Sequence, residues 1–344
     1  MARDGRKVEA PITLQQTLII EDQKVFVEHR EMPLDAVRLD PHNPRIQHAV
    51  KQKFPDREIT QEELRKLILD QPGVSELFRS IRDNGGISDP IHVRPDGSII
   101  EGNCRVASYL KLNSINKNDP RWQAIPAIFV PSITPRQAAV LQGQFHVAGK
   151  NKWSAYEKAG HLHFMKNTLH MDEKAIAVTM RMTEKEVLKD LQAYTMMTEK
   201  VLPQLQGGSG LDKWSFVEEF CKRKGLEDYR TKPSNVDEFV SMVIDKRLKR
   251  GADVRKLERV LKHPAAVKTL KKQDVDAALA VVGKSDPTAD STAFNKLKKA
   301  TTLLQHMPNK DVQRLRNSEE SRVILRDLFS ALKDVAKAAG VKLT

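Results

Sequence analysis

Gly102, Asn103, Cys104 and Arg105 stand where the apolar run Ser98-Ile99-Ile100 gives way to a helical pattern. A glycine at a strand-to-helix handover lets an anion approach the backbone, and the open amides of the first helical turn point at it. Arg105, one turn inside, supplies a counter-charge, so the chemistry on offer is phosphate binding. Asp89, Asp96 and Glu101 flank the segment as carboxylates able to hold a divalent metal, with solvated loop acids as the plainer reading. Of these, Asp96 and Glu101 are carried as candidate catalytic residues. Cys104 lies in an electropositive setting that would favour a thiolate, yet a buried, idle cysteine is the expectation. His161 and His163, spaced i and i+2 on a helix, point to different faces and cannot share a metal, so they read as surface histidines.

The elements that must position these groups follow from periodicity. Residues 23–29 alternate as a strand, and residues 59–82 carry helical spacing that stops at Asn84-Gly85-Gly86. Ile91-His92-Val93 is strand-like, Pro95-Asp96-Gly97 is a turn, and a helix runs from about residue 104 to 112. Residues 124–130 form another β-branched strand. From Pro135 onward helices dominate, which predicts an α+β chain: an N-terminal arm (1–32), an α/β domain (33–135), a first helical domain (136–205) and a basic helical C-terminal domain (206–344). The stretch Gln206-Gly207-Gly208-Ser209-Gly210 reads as a linker, because Lys213 lacks the preceding glycine that a Walker loop requires.

Asp40-Pro41-His42-Asn43-Pro44-Arg45, then Leu77 to Ile81, then Gly86-Ile87-Ser88-Asp89-Pro90-Ile91, then Glu101-Gly102-Asn103-Cys104-Arg105-Val106-Ala107 follow in one order. This segment, roughly residues 33–135, resembles the N-terminal domain of the ParB family of DNA-segregation proteins, a ParB/sulfiredoxin-like fold. The resemblance implies a nucleotide site, with CTP or another nucleoside triphosphate as ligand and Mg2+ as its companion cation. By it, Arg45, Gly86, Gly102 and Arg105 contact phosphates, and Asn103 and Cys104 border them. Sulfiredoxin shares the fold, but its reactive cysteine falls one place earlier than Cys104, which argues against a sulfinic-acid reductase. ParB proteins that hydrolyse CTP carry a Glu-Asn pair before the helix-turn-helix. This chain has Gln142-Gly143-Gln144 there, so hydrolysis is expected to be slow or lost.

Residues 171–194 hold a second signal. Asp172 to Met180 reads as one helix, Arg181-Met182 as a tight turn, and Thr183 with Glu186 as a capping box opening the next. Ile176, Ala177, Met180, Val187, Leu188 and Leu191 let the two helices pack as a helix-turn-helix. Trp153 to Ala159 resembles the helix that introduces this motif in ParB and KorB proteins. On the second helix Lys185, Lys189 and Gln192 are the candidate DNA contacts. Against sequence-specific reading, Glu184 and Glu186 put negative charge at the groove-facing end, and Arg181 fills a turn position suited to glycine.

The chain has 344 residues, 40% hydrophobic and 30% charged, and its 58 Lys/Arg against 45 Asp/Glu give a net +13. That excess favours a polyanionic partner. Residues 241–272 hold eleven Lys/Arg against three acids, a net +8, with Arg255, Lys256 and Arg259 at helical spacing as a phosphate-tracking surface. Trp214, Phe216 and Phe220 are expected in the core. Leu325, Leu328, Leu332 and Val335 make a short apolar seam, read first as a core helix and second as a dimer helix. Two distant cysteines exclude a disulfide framework and a CxxC zinc site. No apolar run reaches the roughly 18 residues of a membrane span, so a cytoplasmic, nucleoid-associated homodimer on double-stranded DNA is expected, with a partition ATPase as a further partner and no membrane. Two other classes stay open: a ParB-fold nuclease or nucleotide hydrolase, and a non-catalytic adaptor that binds a protein.

Overall fold

The computed structural model describes residues 15–148, 153–205, 209–285 and 292–342. It is an α+β chain of two compact units, Met1–Glu258 and Arg259–Thr344.

The described part of the first unit starts with a hairpin. Strands β1 (Gln15–Ile20) and β2 (Gln23–Pro33) pair antiparallel, Gln16 opposite Val27 and Ile20 opposite Gln23. The turn residues Glu21 and Asp22 both have positive φ, 49° and 61°, as a two-residue hairpin demands. Strands β3 (Ile91–Val93), β4 (Ile99–Glu101) and β5 (Ala124–Phe129) complete a mixed sheet of order β1-β2-β5-β3-β4, with β3 and β5 parallel. Between the strands lie α1 (Pro44–Lys53), α2 (Gln61–Leu69), α3 (Val74–Asn84) and α4 (Asn103–Ile115). The helical spacing over residues 59–82 is therefore two helices. Pro72 and Gly73 break it, Gly73 taking φ 79° ahead of α3.

The helical half of this unit holds α5 (Pro135–Ala148), α6 (Ala155–Asn167), α7 (Glu173–Met180) and α8 (Glu184–Met196), α8 running on into a π-helical turn, Met197–Val201. Then come α9 (Trp214–Lys222), α10 (Glu227–Arg230), α11 (Pro233–Ile244) and α12 (Val254–Val260), which carries the boundary between the units. Gln206, Gly207 and Gly208 of the expected linker lie outside the described residues.

Two apolar cores flank the sheet of the first unit. One fills the space between the sheet and α1–α4, built on Leu39, Ile91, Ile99, Val106, Tyr109 and Trp122. The other joins Ile20, Val25 and Val27 of the hairpin to Leu141, Leu162, Ile176, Met180, Val187 and Leu191 of α5 to α8. Gly143 admits this second packing, since a Cβ there would meet the Met180 sulfur at 2.7 Å. His161 is buried against it, contrary to the surface reading. Its Nε2 is 3.0 Å from the Ala139 carbonyl, and burial lowers its pKa to about 4, so it is a neutral core residue. Trp214, Phe216 and Phe220 are buried as expected, with Phe220 stacked on Phe239 at 3.7 Å.

The second unit consists of α13 (Pro264–Leu270), α14 (Val275–Ser285), α15 (Thr292–Gln305), α16 (Asn309–Asn317) and α17 (Glu319–Ala338). Leu270, Val275 and Val282 are buried, but the seam on α17 is not. Leu325, Leu328, Leu332 and Val335 are 44, 43, 46 and 60% exposed, which corrects the core-helix expectation. Periodicity reports an apolar stripe, not what covers it. Among the described residues no helix is long and apolar enough to cross a membrane.

Candidate functional site

At the end of β4 the chain turns into α4 through Gly102, whose φ is 116°. A Cβ there would sit 2.5 Å from Ile91 Cγ2, so only glycine fits both the dihedral and the space. No side chain caps the first turn of α4, and the first backbone bond of the helix runs from Val106 N to Gly102 O at 3.0 Å. The positive end of the helix dipole is thus left to an outside anion.

Arg105 does not project freely from this turn. Its guanidinium pairs with the Glu101 carboxylate and donates to the carbonyls of Asp89 and Pro90, the latter at 3.1 Å. Its side chain is 15% exposed. An incoming phosphate has to compete with Glu101 for it.

Arg45 sits in the first turn of α1, where Asn43 Oδ1 accepts from its amide at 3.0 Å. Its guanidinium reaches the Cys104 thiol, so the structure joins the Asn-Pro-Arg box to the start of α4. Burial nevertheless pushes the Cys104 thiol up, against the pull of Arg45, and Glu157 on α6 adds to the rise. The thiol stays protonated and unreactive.

Asn103 is buried beneath the same turn. Its Oδ1 accepts from the Asp40 amide at 2.9 Å, while its Nδ2 is buried without a partner. Asp40, also buried, accepts from His42 N at 2.9 Å and bonds the Gln142 side chain, and burial raises its pKa. An orphaned donor next to an open helix start is a place for a polar ligand atom.

Gly86 follows the C-cap of α3 and packs under the Tyr109 hydroxyl of α4, with its amide donating to Ile81 O at 3.0 Å. Asp96 and Glu101 are not brought together. Asp96 closes the β3–β4 turn by accepting from Ser98 N at 2.9 Å, and Glu101 lies at the other end of β4. Among the described residues no group of three or more His, Cys, Asp or Glu is placed to hold a metal.

Helices α7 and α8 are joined by a tight turn. Met182 N donates to Ala177 O at 2.9 Å and Arg181 N to Val178 O at 3.3 Å, a Schellman turn with Arg181 in the left-handed region at φ 52°. Thr183 and Glu186 close the expected capping box. Val187 and Leu191 pack in one core with Ile176 and Met180 as expected, but Leu188 is 44% exposed.

Lys185 and Gln192 are exposed and Lys189 is half-buried. All three line a groove of about 700 Å³, whose other walls include Lys166, Glu173 and Arg230. Lys189 Nζ donates to Lys222 O at 3.0 Å, and the buried Asp190 carboxylate lies 3.0 Å from both Lys158 Nζ and Lys222 Nζ. These links fix α8 between α6 and α9. Farther on, Arg255 pairs with Glu219 at 2.9 Å and Lys256 with Asp253 at 2.8 Å, while Arg259 opens the second unit. The meetings of Asp40 with Asn103 and Gln142, and of Cys104 with Glu157, carried no signal in the sequence, because they join distant segments.

No family model matches this chain, and no curated protein matches it. Among solved structures it is similar to the C-terminally truncated chromosome-partitioning protein ParB from Caulobacter crescentus bound to the centromeric parS site. The match has 13% identity and a TM-score of 0.33, over 67% of this chain and 98% of that one. The same ParB with CTP-gamma-S gives 15% identity and a TM-score of 0.22, over 63% and 98%. A Pnob8-like ParB-N domain gives 14% and 0.28, over 91% and 98%. All three are ParB structures. At this identity and superposition the likeness assigns neither a ligand nor a residue role to this chain.

Proposed function

We propose that this chain is a ParB-like protein of double-stranded DNA whose N-terminal module binds a nucleoside triphosphate, CTP foremost. The observation that carries the DNA part is the α7–α8 pair, a Schellman turn and a capping box that together present Lys185, Lys189 and Gln192 on one face of α8. Lysines steer and hold phosphates, and a glutamine can read adenine edges in the major groove.

The nucleotide part is supported by the open start of α4, the partnerless Asn103 Nδ2 and the reach of Arg45 to that turn. Phosphates would lie against the α4 amides, with Arg45 and Arg105 as counter-charges and Asn103 and Cys104 at the border. The choice of CTP comes from the family resemblance of residues 33–135, as does a partition ATPase as partner. Mg2+ would accompany the triphosphate. Hydrolysis is slow on this reading, because Gln142 stands where a carboxylate would position water. The separation of Asp96 from Glu101 speaks against a nuclease. Self-association through the exposed seam of α17 completes the proposal, giving a homodimer that the nucleotide gates on DNA.

Two measurements test it together. Calorimetry with a panel of ribonucleoside triphosphates should show binding that Arg105→Ala weakens. Fluorescence anisotropy should show duplex binding at low salt that Lys185→Ala and Gln192→Ala impair. Neither ligand binding to folded protein leaves the adaptor as the function.

A further inference from the structure

The groove that Lys185, Lys189 and Gln192 line runs along α8 as far as Met196, a length of about 16 Å at 1.5 Å per residue. Part of its lining is apolar. Leu188 stands 44% exposed there, with Leu191 and Met196 of α8 beside it and Val236 contributed by α11. The volume of about 700 Å³ is that of a site for an organic molecule. Duplex phosphates would satisfy the lysines and offer nothing to the apolar lining.

Two cations of the groove are held by backbone carbonyls alone. Lys189 Nζ donates to Lys222 O at 3.0 Å, and Arg230 Nη1 donates to the carbonyls of Phe220 and Arg223 at 2.5 and 2.9 Å. These acceptors end α9, where a positive charge is at home. Arg230 Nε and Nη2 and the other two donors of Lys189 have no acceptor among the described residues, and Lys185 makes no hydrogen bond or ion pair among them. Across the lining five Lys/Arg meet three Glu. Lys166 is taken by Glu173 and Lys200 by Asp237, which leaves Lys185, Lys189 and Arg230 facing Glu199 and Glu227. Glu199 acts on His163 instead.

We propose that the groove binds a small amphipathic organic anion, a carboxylate or sulfonate on an apolar body, with its headgroup on the open donors of Lys189 and Arg230 and its body over Leu188, Leu191, Met196 and Val236. The lining selects this class by exclusion. A neutral lipid leaves the donors bare, an inorganic anion leaves the apolar lining wet, and an organic cation meets like charge. On α8 Leu188 lies three residues after Lys185 and four before Gln192, on one helix face. A ligand body covering Leu188 therefore occupies the space between the two candidate DNA contacts, and bound anion and duplex exclude each other. That second part rests on the reading of α8 given above.

Calorimetry on the full chain with sodium decanoate reads the site without DNA. One equivalent should bind, and decyltrimethylammonium, with the same chain and the opposite charge, should bind at least about tenfold more weakly. Leu188→Ser trims the lining at an exposed position that the fold tolerates, and should weaken decanoate about fivefold. The exposed seam of α17 is a competing apolar surface, so Leu328→Asp with Leu332→Asp should bind decanoate as the parent chain does. No binding to folded protein at millimolar decanoate, equal binding of the two amphiphiles, or binding lost with the α17 changes and kept in Leu188→Ser overturns the site. Anisotropy with a labelled duplex supplies the second arm: decanoate at about ten times its own Kd should weaken duplex binding about tenfold. Duplex affinity that ignores saturating decanoate overturns the mutual exclusion. Absence of duplex binding without decanoate overturns the DNA reading instead, and calorimetry still decides the site.

Discussion

The Glu101 carboxylate and the Arg105 guanidinium, four residues apart across Gly102, neutralise each other at the mouth of the proposed phosphate site. The arginine that sequence reasoning offers to phosphate is therefore already held, and the acid offered to a metal is what holds it. Removing the acid frees the cation without moving it, because the Pro90 carbonyl still anchors the guanidinium. Glu101→Gln should tighten triphosphate binding by about fivefold to tenfold, the equivalent of about 1 kcal/mol for one released ion pair. Titration calorimetry checks it. Weaker binding would mean that Glu101 serves the ligand, through a cation or by holding Arg105 in place.

Arg181 occupies the left-handed position that closes α7. A side chain in that region costs about 1–2 kcal/mol, which glycine avoids at some loss to the entropy of the unfolded chain. Arg181→Gly should raise stability by about 1 kcal/mol, read as a higher urea midpoint at unchanged slope. A lower midpoint would show that the arginine makes a contact worth more than its strain.

Asp190 is 1% exposed and sits between Lys158 and Lys222. Asp190→Ala leaves two ammonium groups facing each other without the carboxylate. Both lysines reach solvent, so the loss should be about 2–3 kcal/mol, below the span for a fully buried pair. Thermal unfolding measures the loss. Duplex affinity should fall with it, since the same carboxylate seats α8.

The two basic elements should separate by their salt response. Changing Lys185, Lys189 and Gln192 should erode discrimination between a preferred site and random DNA, where a good base contact is worth roughly 1–3 kcal/mol. Neutralising Arg255, Lys256 and Arg259 should weaken all duplexes alike and flatten the salt slope by up to about one unit per lost phosphate contact. Because Arg255 and Lys256 already pair with Glu219 and Asp253, the flattening should lie under that ceiling. Anisotropy titrations over a salt series give both numbers.

On the proposed self-association through α17, Leu328→Asp with Leu332→Asp should give a monomer in light scattering where the parent chain gives a dimer, leaving its helical content intact. Both side chains are more than two-fifths exposed, so the charges cost little in the isolated chain. Unchanged mass would place self-association elsewhere.

What was legible in the sequence was local. Gly102 at the handover and Thr183 with Glu186 as a capping box each act within one turn, and the structure has them as expected. The β1–β2 hairpin was missed because its turn is Glu21-Asp22, with neither glycine nor asparagine to announce two left-handed residues. The pairing of Asp40 with Asn103 was invisible for another reason. The two lie 63 residues apart, and no periodicity encodes such a meeting. Leu188 and the α17 seam show the converse limit, since an apolar repeat does not say which stripe finds a neighbour.

Ile20, Val25 and Val27 belong by position to the sheet and by packing to the core of α5 to α8. The boundary that sequence reasoning drew at residue 33 would sever that core from one of its walls. A fragment beginning there should expose the apolar surface those three side chains cover and precipitate, and a fragment of α5 to α8 alone should do the same. Grafting α5 to α8 of this chain onto another protein's sheet domain would then require the hairpin to travel with them. The two halves are exchangeable between proteins only as a single inherited block.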